Sequence, residues 1–480
     1  MSRLEQKAKV IDEFTAKTHR KERKRRKGIN HCSVYSAVPA MRSPFCSGVI
    51  DINELSSAGL WSGRRHLGWQ RVRRWVKKGF WAVTDQALFA GTNFLVNILL
   101  ARWLEPAAYG AFATAYAVFL LLGTLHTALW TEPMLVYGSG RYQRVFPAYQ
   151  RALLRYHWGF GLLAFLFSML LGLGFRFVGQ ETLSLGFLGL SLAAPAVLYL
   201  WLVRRGAYVL LDPRLAALGG GLYLILYLGL AALFLGAGLL NAFTALLAMA
   251  LASLLAAEAV RLRLRAGEVR EVNLREVREL HWSYGRWALL ASVLSWVPGN
   301  FYILALNVFY DLSTAGAFKV LSTLLMPIVY FNSSVMNIFL PLLSRSIVDR
   351  TGVSKTTLFK MQLVLQGLWG VTWGGAIYLW GNHLLTTLVG DKYAFGGHLF
   401  FMLFVSSIAL SIITAFSTLL RAANLPNLLA FSWSISALLT VSLGATLVAY
   451  KGLDGAIFGG MLINISSTLV MAVSSRRVIK

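Results

Sequence analysis

The sequence predicts an all-α membrane protein of about 12 transmembrane helices, arranged as two parallel six-helix repeats around a central cleft. Three observations predict this class. Hydrophobic residues make up 57% of the chain and charged residues 14%, and the mean hydropathy is +0.60; these values are typical of a chain that faces hydrocarbon. Apolar runs of about 20 residues recur, the length that crosses a bilayer as a helix. Landmarks in the first half of the chain return in the second.

The first element is a basic leader, residues 1–79, which holds 19 Lys and Arg against 6 Asp and Glu. We expect a solvated, disordered cytoplasmic tail, because such a segment has too little apolar surface to bury. A contact with nucleic acid or anionic lipid is the alternative interpretation. Cys32 and Cys46 form no CxxC motif and no ligand cluster, which predicts free thiols.

Twelve apolar runs follow the leader and are predicted to be spans 1 to 12. The first six form an N-terminal half, residues 80–262, and a cytoplasmic linker, 263–286, joins it to a C-terminal half, 287–474, and a short cytoplasmic tail, 475–480. The spans lie near residues 80–101, 107–136, 157–178, 182–203, 215–236, 240–260, 287–309, 313–342, 361–380, 397–420, 428–449 and 454–474.

The connections between these spans differ strongly in positive charge. Those on the side of the N-terminus, with the C-terminal tail, contain 22 Lys and Arg, whereas those on the opposite side contain 4. Lys and Arg concentrate in cytoplasmic loops, so both termini are predicted to be cytoplasmic. No outer connection exceeds roughly 20 residues, which leaves no room for an extracytoplasmic catalytic domain.

A repeated turn supports the duplication. The tripeptide GAF occurs at residues 110–112 and again at 316–318, each time near the start of the second span of a half. Asn-Phe at 93–94 returns at 300–301, and a proline near the end of each long span falls at 133 and 341. These offsets of 206 to 208 residues predict two repeats with the same membrane orientation.

Polar residues inside the spans fall on helical faces. Such groups either bond neighbouring helices or line a water-filled cleft, and the sequence leaves both interpretations open for the hydroxyls. The charged residues favour the cleft. The faces consist of Lys319, Ser322, Thr323, Tyr330, Ser333, Ser334 and Asn337 in span 8, Gln86, Asn93 and Asn97 in span 1, with Asp85 beside them, and Thr124, Thr127 and Thr131 with Glu132 in span 2.

Several segments of this chain resemble the polysaccharide transporter, or O-antigen flippase, family. They are "LLARWLEPAAYGAFA", "VRRGAYVLLDP", "YGRWALLASVLSWVPGNF" and "LVGDKYAFGG", with Glu132-Pro133. The resemblance implies a bacterial inner-membrane member of the multidrug, oligosaccharidyl-lipid and polysaccharide exporter superfamily. It also implies the function: a polyprenyl-pyrophosphate-linked oligosaccharide moves from the cytoplasmic to the outer leaflet by alternating access, for the biosynthesis of cell-surface polysaccharide such as lipopolysaccharide.

A pyrophosphate entering a low-dielectric cleft needs fixed cations, and sugars need amide, hydroxyl and aromatic partners. The candidate cations are Lys319 and Arg286; the alternative for Arg286 is an anchor whose head reaches the lipid headgroups, and Arg204 and Arg205 are interpreted as such anchors. At least one of Asp85 and Glu132 is predicted to couple transport to H⁺ or Na⁺; the alternatives are a cap of the first helical turn for Asp85 and a structural role at the Pro133 kink for Glu132. The candidate sugar contacts are Asn93, Asn300, Tyr330, Trp296 and Asn337.

Motifs of other chemistries do not occur in the sequence: there is no P-loop and no metal or Ser/His/Asp set at suitable spacing, and His126 is the one histidine expected away from the ends of a span. We therefore predict a transporter and not an enzyme, with no cofactor and no nucleic-acid partner. Membrane lipids and glycan-assembly proteins are the expected neighbours. The alternatives are a cation-coupled multidrug exporter, which favours acidic cavity residues, and a membrane glycan polymerase or ligase, which usually carries a long outer loop.

Overall fold

The computed structural model is mainly helical over the residues that it describes, and no strand occurs among them. The leader up to residue 64 and residues 265–271 of the linker lie outside the described residues. The first helix begins at Arg65, inside the segment expected to be an irregular leader. The described ranges are 65–264, 272–349, 353–393, 395–423 and 425–479.

The helices of the N-terminal half begin at local stop and start signals. Proline occupies the first turn of α2, α4 and α6, where its missing N–H costs no helical bond, and Asn241 and Thr244 cap α7 reciprocally. The elements are α1 (Arg65–Trp103), α2 (Pro106–His126), a π-helical turn (Thr127–Thr131), α3 (Glu132–Ser139), α4 (Phe146–Phe177), α5 (Glu181–Val209), α6 (Pro213–Gly236) and α7 (Ala242–Arg261).

In the C-terminal half, side chains cap three helix starts: Asn273 before α8, Asp311 before α9 and Ser354 before α11 each accept from a backbone N–H. The elements are α8 (Leu274–Phe309), α9 (Leu312–Thr323), α10 (Met326–Asp349), α11 (Lys355–Val389), α12 (Gly397–Ala422), α13 (Pro426–Leu439), a second π-helical turn (Thr440–Gly444) and α14 (Ala445–Ile479).

Within the described ranges, nine helices are long and apolar enough to cross a membrane by length and composition. The last of these, Asn427–Arg476, contains Gly452 at φ 53°. The chain reverses there, because the Tyr302 hydroxyl lies close to both Gly444 and Gly459, which a straight helix would hold roughly 20 Å apart. With this hairpin counted as two spans, and with α1 and α11 at 39 and 35 residues, all twelve predicted spans are helical.

The structure corrects two expectations about the long second and eighth spans. Span 8 is not one helix: α9 ends at Thr323 and α10 begins at Met326, because Pro327 lacks an N–H and restricts the residue before it. The predicted polar face is therefore divided into two segments. The prolines at 133 and 341 do not end their helices, which continue to Ser139 and Asp349.

The two GAF segments pack against each other, which explains their recurrence. A Cβ at Gly110 would overlap the carbonyl oxygen of Leu312, and one at Gly316 would lie 2.8 Å from that of Pro106. Leu312 and Gly316 are the counterparts of Pro106 and Gly110 in the repeat, so the contact is reciprocal, as a twofold relation between halves requires. We refer to the end of the bundle where α2 and α9 begin as the GAF end, and to the opposite end as the linker end.

Polar contacts also join the halves at the GAF end. The Lys392 ammonium donates to the carbonyl oxygens of Arg102 (2.7 Å) and Leu104 (2.8 Å) at the end of α1. Arg102 donates to the carbonyl oxygen of Thr387 at 3.3 Å. Together with the packed glycines, these bonds hold the GAF end closed.

Candidate functional site

Lys319 lies between the two halves and is the centre of the candidate site. Its side chain is 8% exposed, and its ammonium nitrogen is 5.6 Å from the ring centroid of Tyr116 on α2. The Tyr116 hydroxyl donates to Asn93 Oδ1 on α1 at 3.2 Å, and Tyr330 of α10 hydrogen-bonds the same asparagine. We call these four residues the Lys319 cluster; three of them are sequence-predicted site residues.

The charge of Lys319 is poorly compensated. Among the residues that the structure describes, no carboxylate pairs with its ammonium group, which faces the Tyr116 ring instead. A cation–π contact contributes about 0.5–2 kcal/mol, whereas removing an ammonium ion from water costs several kcal/mol. An anion that enters the cluster would supply the missing partner, so the arrangement favours negatively charged ligands.

Aromatic rings extend the cluster along α2. Tyr109, Phe112, Tyr116 and Phe119 follow one another at ring-centroid distances of 6.2, 5.7 and 5.5 Å, and Phe119 contacts Trp201 at 5.5 Å. The spacing of three and four residues places them on one helical face. This face borders an N-terminal-half cavity lined by Phe89, Asn93, Tyr116, Phe119, Val197, Leu200, Trp201, Arg204, Tyr223 and Met249.

Asp85 is held in a buried ion pair beside this cavity. Arg204 donates to Asp85 Oδ1 at 2.6 Å and the Tyr208 hydroxyl to Oδ2 at 2.5 Å, while the Arg204 guanidinium carbon lies 5.0 Å from the Phe89 ring centroid. The interpretation of Arg204 as a lipid-headgroup anchor is therefore wrong: α5 continues to Val209, and this arginine is buried inside the bundle.

Glu132 lies where both halves meet at the linker end. It interacts with Tyr284 of α8 and with Arg205 of α5 and Arg421 of α12, all of which stabilise its charge. Arg205 also donates to Thr131 Oγ1 in the π-helical turn at 2.6 Å. The carboxylate thus contacts the N-terminal and the C-terminal half at one junction.

The other predicted site residues have different surroundings. Trp296 donates its indole N–H to the Ala117 carbonyl oxygen at 3.1 Å, which binds α8 to α2, and Asn300 donates to the carbonyl oxygen of Trp296 at 3.2 Å. Arg286 is exposed on α8, and Asn337 is half-buried on α10. Their roles as substrate contacts stay predictions.

The start of α8 is fixed to the N-terminal half by a set of contacts that we call the α8 clamp: Tyr142, Tyr149, Glu276 and His281. His281 bonds the Tyr149 hydroxyl (2.6 Å) and the Leu129 carbonyl oxygen (2.8 Å), and burial lowers the pKa of His281 to about 4. Tyr142 donates to Glu276 at 3.0 Å. Burial and this bond raise the pKa of Tyr142 to about 12.

Several buried polar groups were not among the residues predicted from the sequence. Tyr116 and Arg204 were not assigned to the site, and His126 is not alone, because His157 of α4 bonds it. A network across α10, α11 and α12 was also missed, although the spacing of Gln362 and Gln366 indicates one helical face. Its buried members are Asn332, Gln362, Gln366, Ser411 and Thr418.

Within the described ranges, no group of three or more His, Cys, Asp or Glu side chains is placed to hold a metal ion. No family model matches the chain, and no curated protein is significantly similar to it in sequence. Similarity is found to solved structures, at low identity and over most of the chain.

An inward-facing multidrug resistance MATE transporter of the MOP superfamily aligns with a TM-score of 0.68 at 14% identity, over 83% of this chain and 98% of that one. The lipid II flippase MurJ in an inward closed conformation gives 0.59 at 13%, over 84% and 87%. A MOP superfamily transporter from Pyrococcus furiosus, whose binding pocket is described as having reversed polarity, gives 0.56 at 12%, over 84% and 95%.

These likenesses define the class by fold: the chain is a multi-pass membrane protein with the architecture of MOP superfamily transporters. The structures that share this fold include both multidrug transporters and a lipid II flippase.

Proposed function

We propose that this protein is a flippase that moves a polyprenyl-pyrophosphate-linked oligosaccharide from the cytoplasmic to the outer leaflet of a bacterial inner membrane. The observation that carries the proposal is the Lys319 cluster. A buried cation between the two halves, with no carboxylate partner in the described part of the chain, suits an anionic headgroup. The O-antigen type of glycan rests on the sequence resemblance alone.

The surroundings of Lys319 fit the other parts of this substrate. Asn93, Tyr116 and Tyr330 offer amide and hydroxyl groups that bond sugar hydroxyls once their present bonds exchange. The apolar face of a sugar ring packs on aromatic rings such as those along α2. The phosphate is thus assigned to the ammonium group and the first sugars to the amide, hydroxyl and aromatic groups beside it.

The contacts between the halves support alternating access as the proposed transport mechanism. With both termini cytoplasmic, the GAF end faces the outside and is closed by the glycine contact and by Lys392. In this state substrate enters from the cytoplasmic leaflet, and release requires the GAF end to open. Glu132 is the better candidate for coupling to H⁺ or Na⁺, because it lies at the moving junction. Asp85 would first have to leave Arg204 and Tyr208.

A flipping assay in proteoliposomes tests the proposal, with a lipid-linked oligosaccharide as substrate and its exposure on the far leaflet as the measurement. Replacement of Lys319 by Gln removes the charge and is expected to abolish flipping, whereas Lys319→Arg keeps part of it. Lys451→Gln is the matched control, since Lys451 is an exposed lysine outside the cluster. Full flipping by Lys319→Gln, at equal protein abundance, would remove Lys319 from the site.

A cation-coupled multidrug exporter is the second candidate. It is favoured by the aromatic lining of the cavity beside Asp85 and by the MATE transporters among the similar structures. Lys319 argues against it, because most multidrug substrates of such exporters are expected to be cations and a buried ammonium repels them. Efflux of a cationic dye by the wild-type protein, unchanged in Lys319→Gln and without lipid flipping, would select this candidate.

A further inference from the structure

A pair of histidines is buried in the N-terminal half, and the proposed flippase function assigns no role to this pair. His126 Nε2 lies 3.1 Å from His157 Nδ1, and both side chains are 0% exposed. The outer ring nitrogens, His126 Nδ1 and His157 Nε2, have no hydrogen-bond partner in the described part of the chain. Phe160 packs on one ring and Trp158 and Tyr199 on the other.

The pair has room for one additional proton. Each neutral imidazole carries one N–H, so one ring donates to the other across the 3.1 Å contact. In either tautomer, one of the two outer nitrogens is then bare. A proton taken from water onto that nitrogen leaves the bond between the rings intact and spreads the charge over two imidazoles. A single buried histidine lacks this stabilisation.

The charged groups around the pair decide when the proton is bound. The Arg205 guanidinium of α5 acts electrostatically on His126, and Glu132 and Asp85 act on Arg205. On the other side, Tyr199 packs against His157 and donates to Glu258 at 2.7 Å. The nearest charge is therefore positive, so in the present arrangement repulsion opposes a second cation at the pair.

The pair is also mechanically connected to the contact between the halves. His126 is the last residue of α2 and is followed directly by the π-helical turn; such turns are frequent at functional sites. Arg205 is bonded to Thr131 in this turn. The π-helical turn contacts α8 of the C-terminal half: His281 hydrogen-bonds the Leu129 carbonyl oxygen, and Gly285 packs against Ala128.

From this geometry we infer that His126 and His157 form a proton-binding site, and that a proton bound there weakens the packing of α8 against the N-terminal half. The added positive charge repels Arg205 and so destabilises its bond to the π-helical turn. The state with α8 released is therefore the state that holds the proton. This site goes beyond the proposed function, because it applies whatever the substrate is.

Solid-state NMR of the reconstituted protein with ¹⁵N-labelled histidine tests the proton site without any substrate. Between about pH 8.5 and 4.5, the bare outer nitrogen is expected to convert to N–H while the ring-to-ring bond persists. His126→Gln and His157→Gln each remove the paired signal, and His383→Gln, at an exposed histidine, leaves it unchanged. A bare nitrogen that persists over the whole range overturns the proposal, and this reading needs only the wild-type protein.

Electron–electron distance measurements test the link to α8. Spin labels at Gln143→Cys and Val353→Cys report the separation of the halves at the linker end, with Cys32 and Cys46 replaced by Ser. Acidification is expected to populate a longer distance, and the histidine pair contributes a change in the population ratio of at most about tenfold per pH unit, because the pair binds one proton.

The His126→Gln/His157→Gln protein should lose this pH response, and a response of wild-type size in that protein overturns the link. The part of the pH-dependent distance change that disappears in His281→Gln is assigned to the α8 clamp. It is subtracted from the wild-type response before the comparison. Neither measurement contains a lipid-linked oligosaccharide. A negative result therefore refutes the proton site and leaves the flippase proposal untouched.

Discussion

The contact between the two GAF segments gives the sharpest quantitative prediction, for the substitution Gly316→Ala. The new Cβ would lie 2.8 Å from the Pro106 carbonyl oxygen, 3.1 Å from Gly110 N and 3.3 Å from Gly110 Cα. Ordinary contact begins near 3.4 Å, so α2 and α9 must separate by several tenths of an ångström. All three opposing atoms belong to backbone, which cannot rotate away as a side chain can.

Such overpacking costs about 1–3 kcal/mol, and the cost is confined to the closed GAF end, because the contact exists only there. A change of 1.4 kcal/mol is about tenfold in an equilibrium, so the ratio of closed to open GAF ends should fall roughly 5- to 150-fold. Gly229→Ala is the matched control, since a Cβ there meets no atom within 4 Å.

Spin labels at the GAF end, at Gln180→Cys and Asp391→Cys, measure this ratio in lipid nanodiscs. The longer distance should gain population in Gly316→Ala and stay at wild-type level in Gly229→Ala. An unchanged distribution in Gly316→Ala, in a protein that keeps its thermal stability, would refute the view that close glycine packing holds this end shut.

Three further outcomes are expected. Lys392→Met removes two donated bonds across the GAF end and should favour the open state by about 1 kcal/mol, measured with the same labels and compared with Lys451→Met. Arg204→Met leaves Asp85 buried without its cation and should lower the stability in thermal unfolding by about 3–5 kcal/mol. Much of this lost stability should be restored in Arg204→Met/Asp85→Asn. A double variant as unstable as Arg204→Met would contradict the ion-pair argument. Burial lowers the pKa of His281 in the clamp to about 4, against about 6.5 for an exposed histidine. The clamp is therefore intact above about pH 6.5 and loses up to about 1.4 kcal/mol per pH unit as the pH falls towards 4. Hydrogen exchange at the start of α8 should rise accordingly, and a pH-independent opening free energy would contradict this.

Predictions from the sequence succeeded where the physics is local. The placement of an apolar run in the membrane depends on the free energy of its transfer from water to hydrocarbon, which requires no partner segment. The spans and the fold class therefore follow from composition. The repeated glycines were recognised for the same reason, because their offset is a property of the chain. Lys319 also stood out, since a lysine among apolar neighbours demands an explanation in any fold.

Only the tertiary structure decided which polar groups meet. Contacts such as Tyr116 with Asn93, Arg204 with Asp85, and His126 with His157 join different helices. They depend on how each helix is rotated and where it breaks. Spacing within one span carries no information about the rotation of the next. The double arginine at residues 204–205 was therefore interpreted as a headgroup anchor, and only the tertiary structure shows that Arg204 is buried and paired with Asp85 of α1.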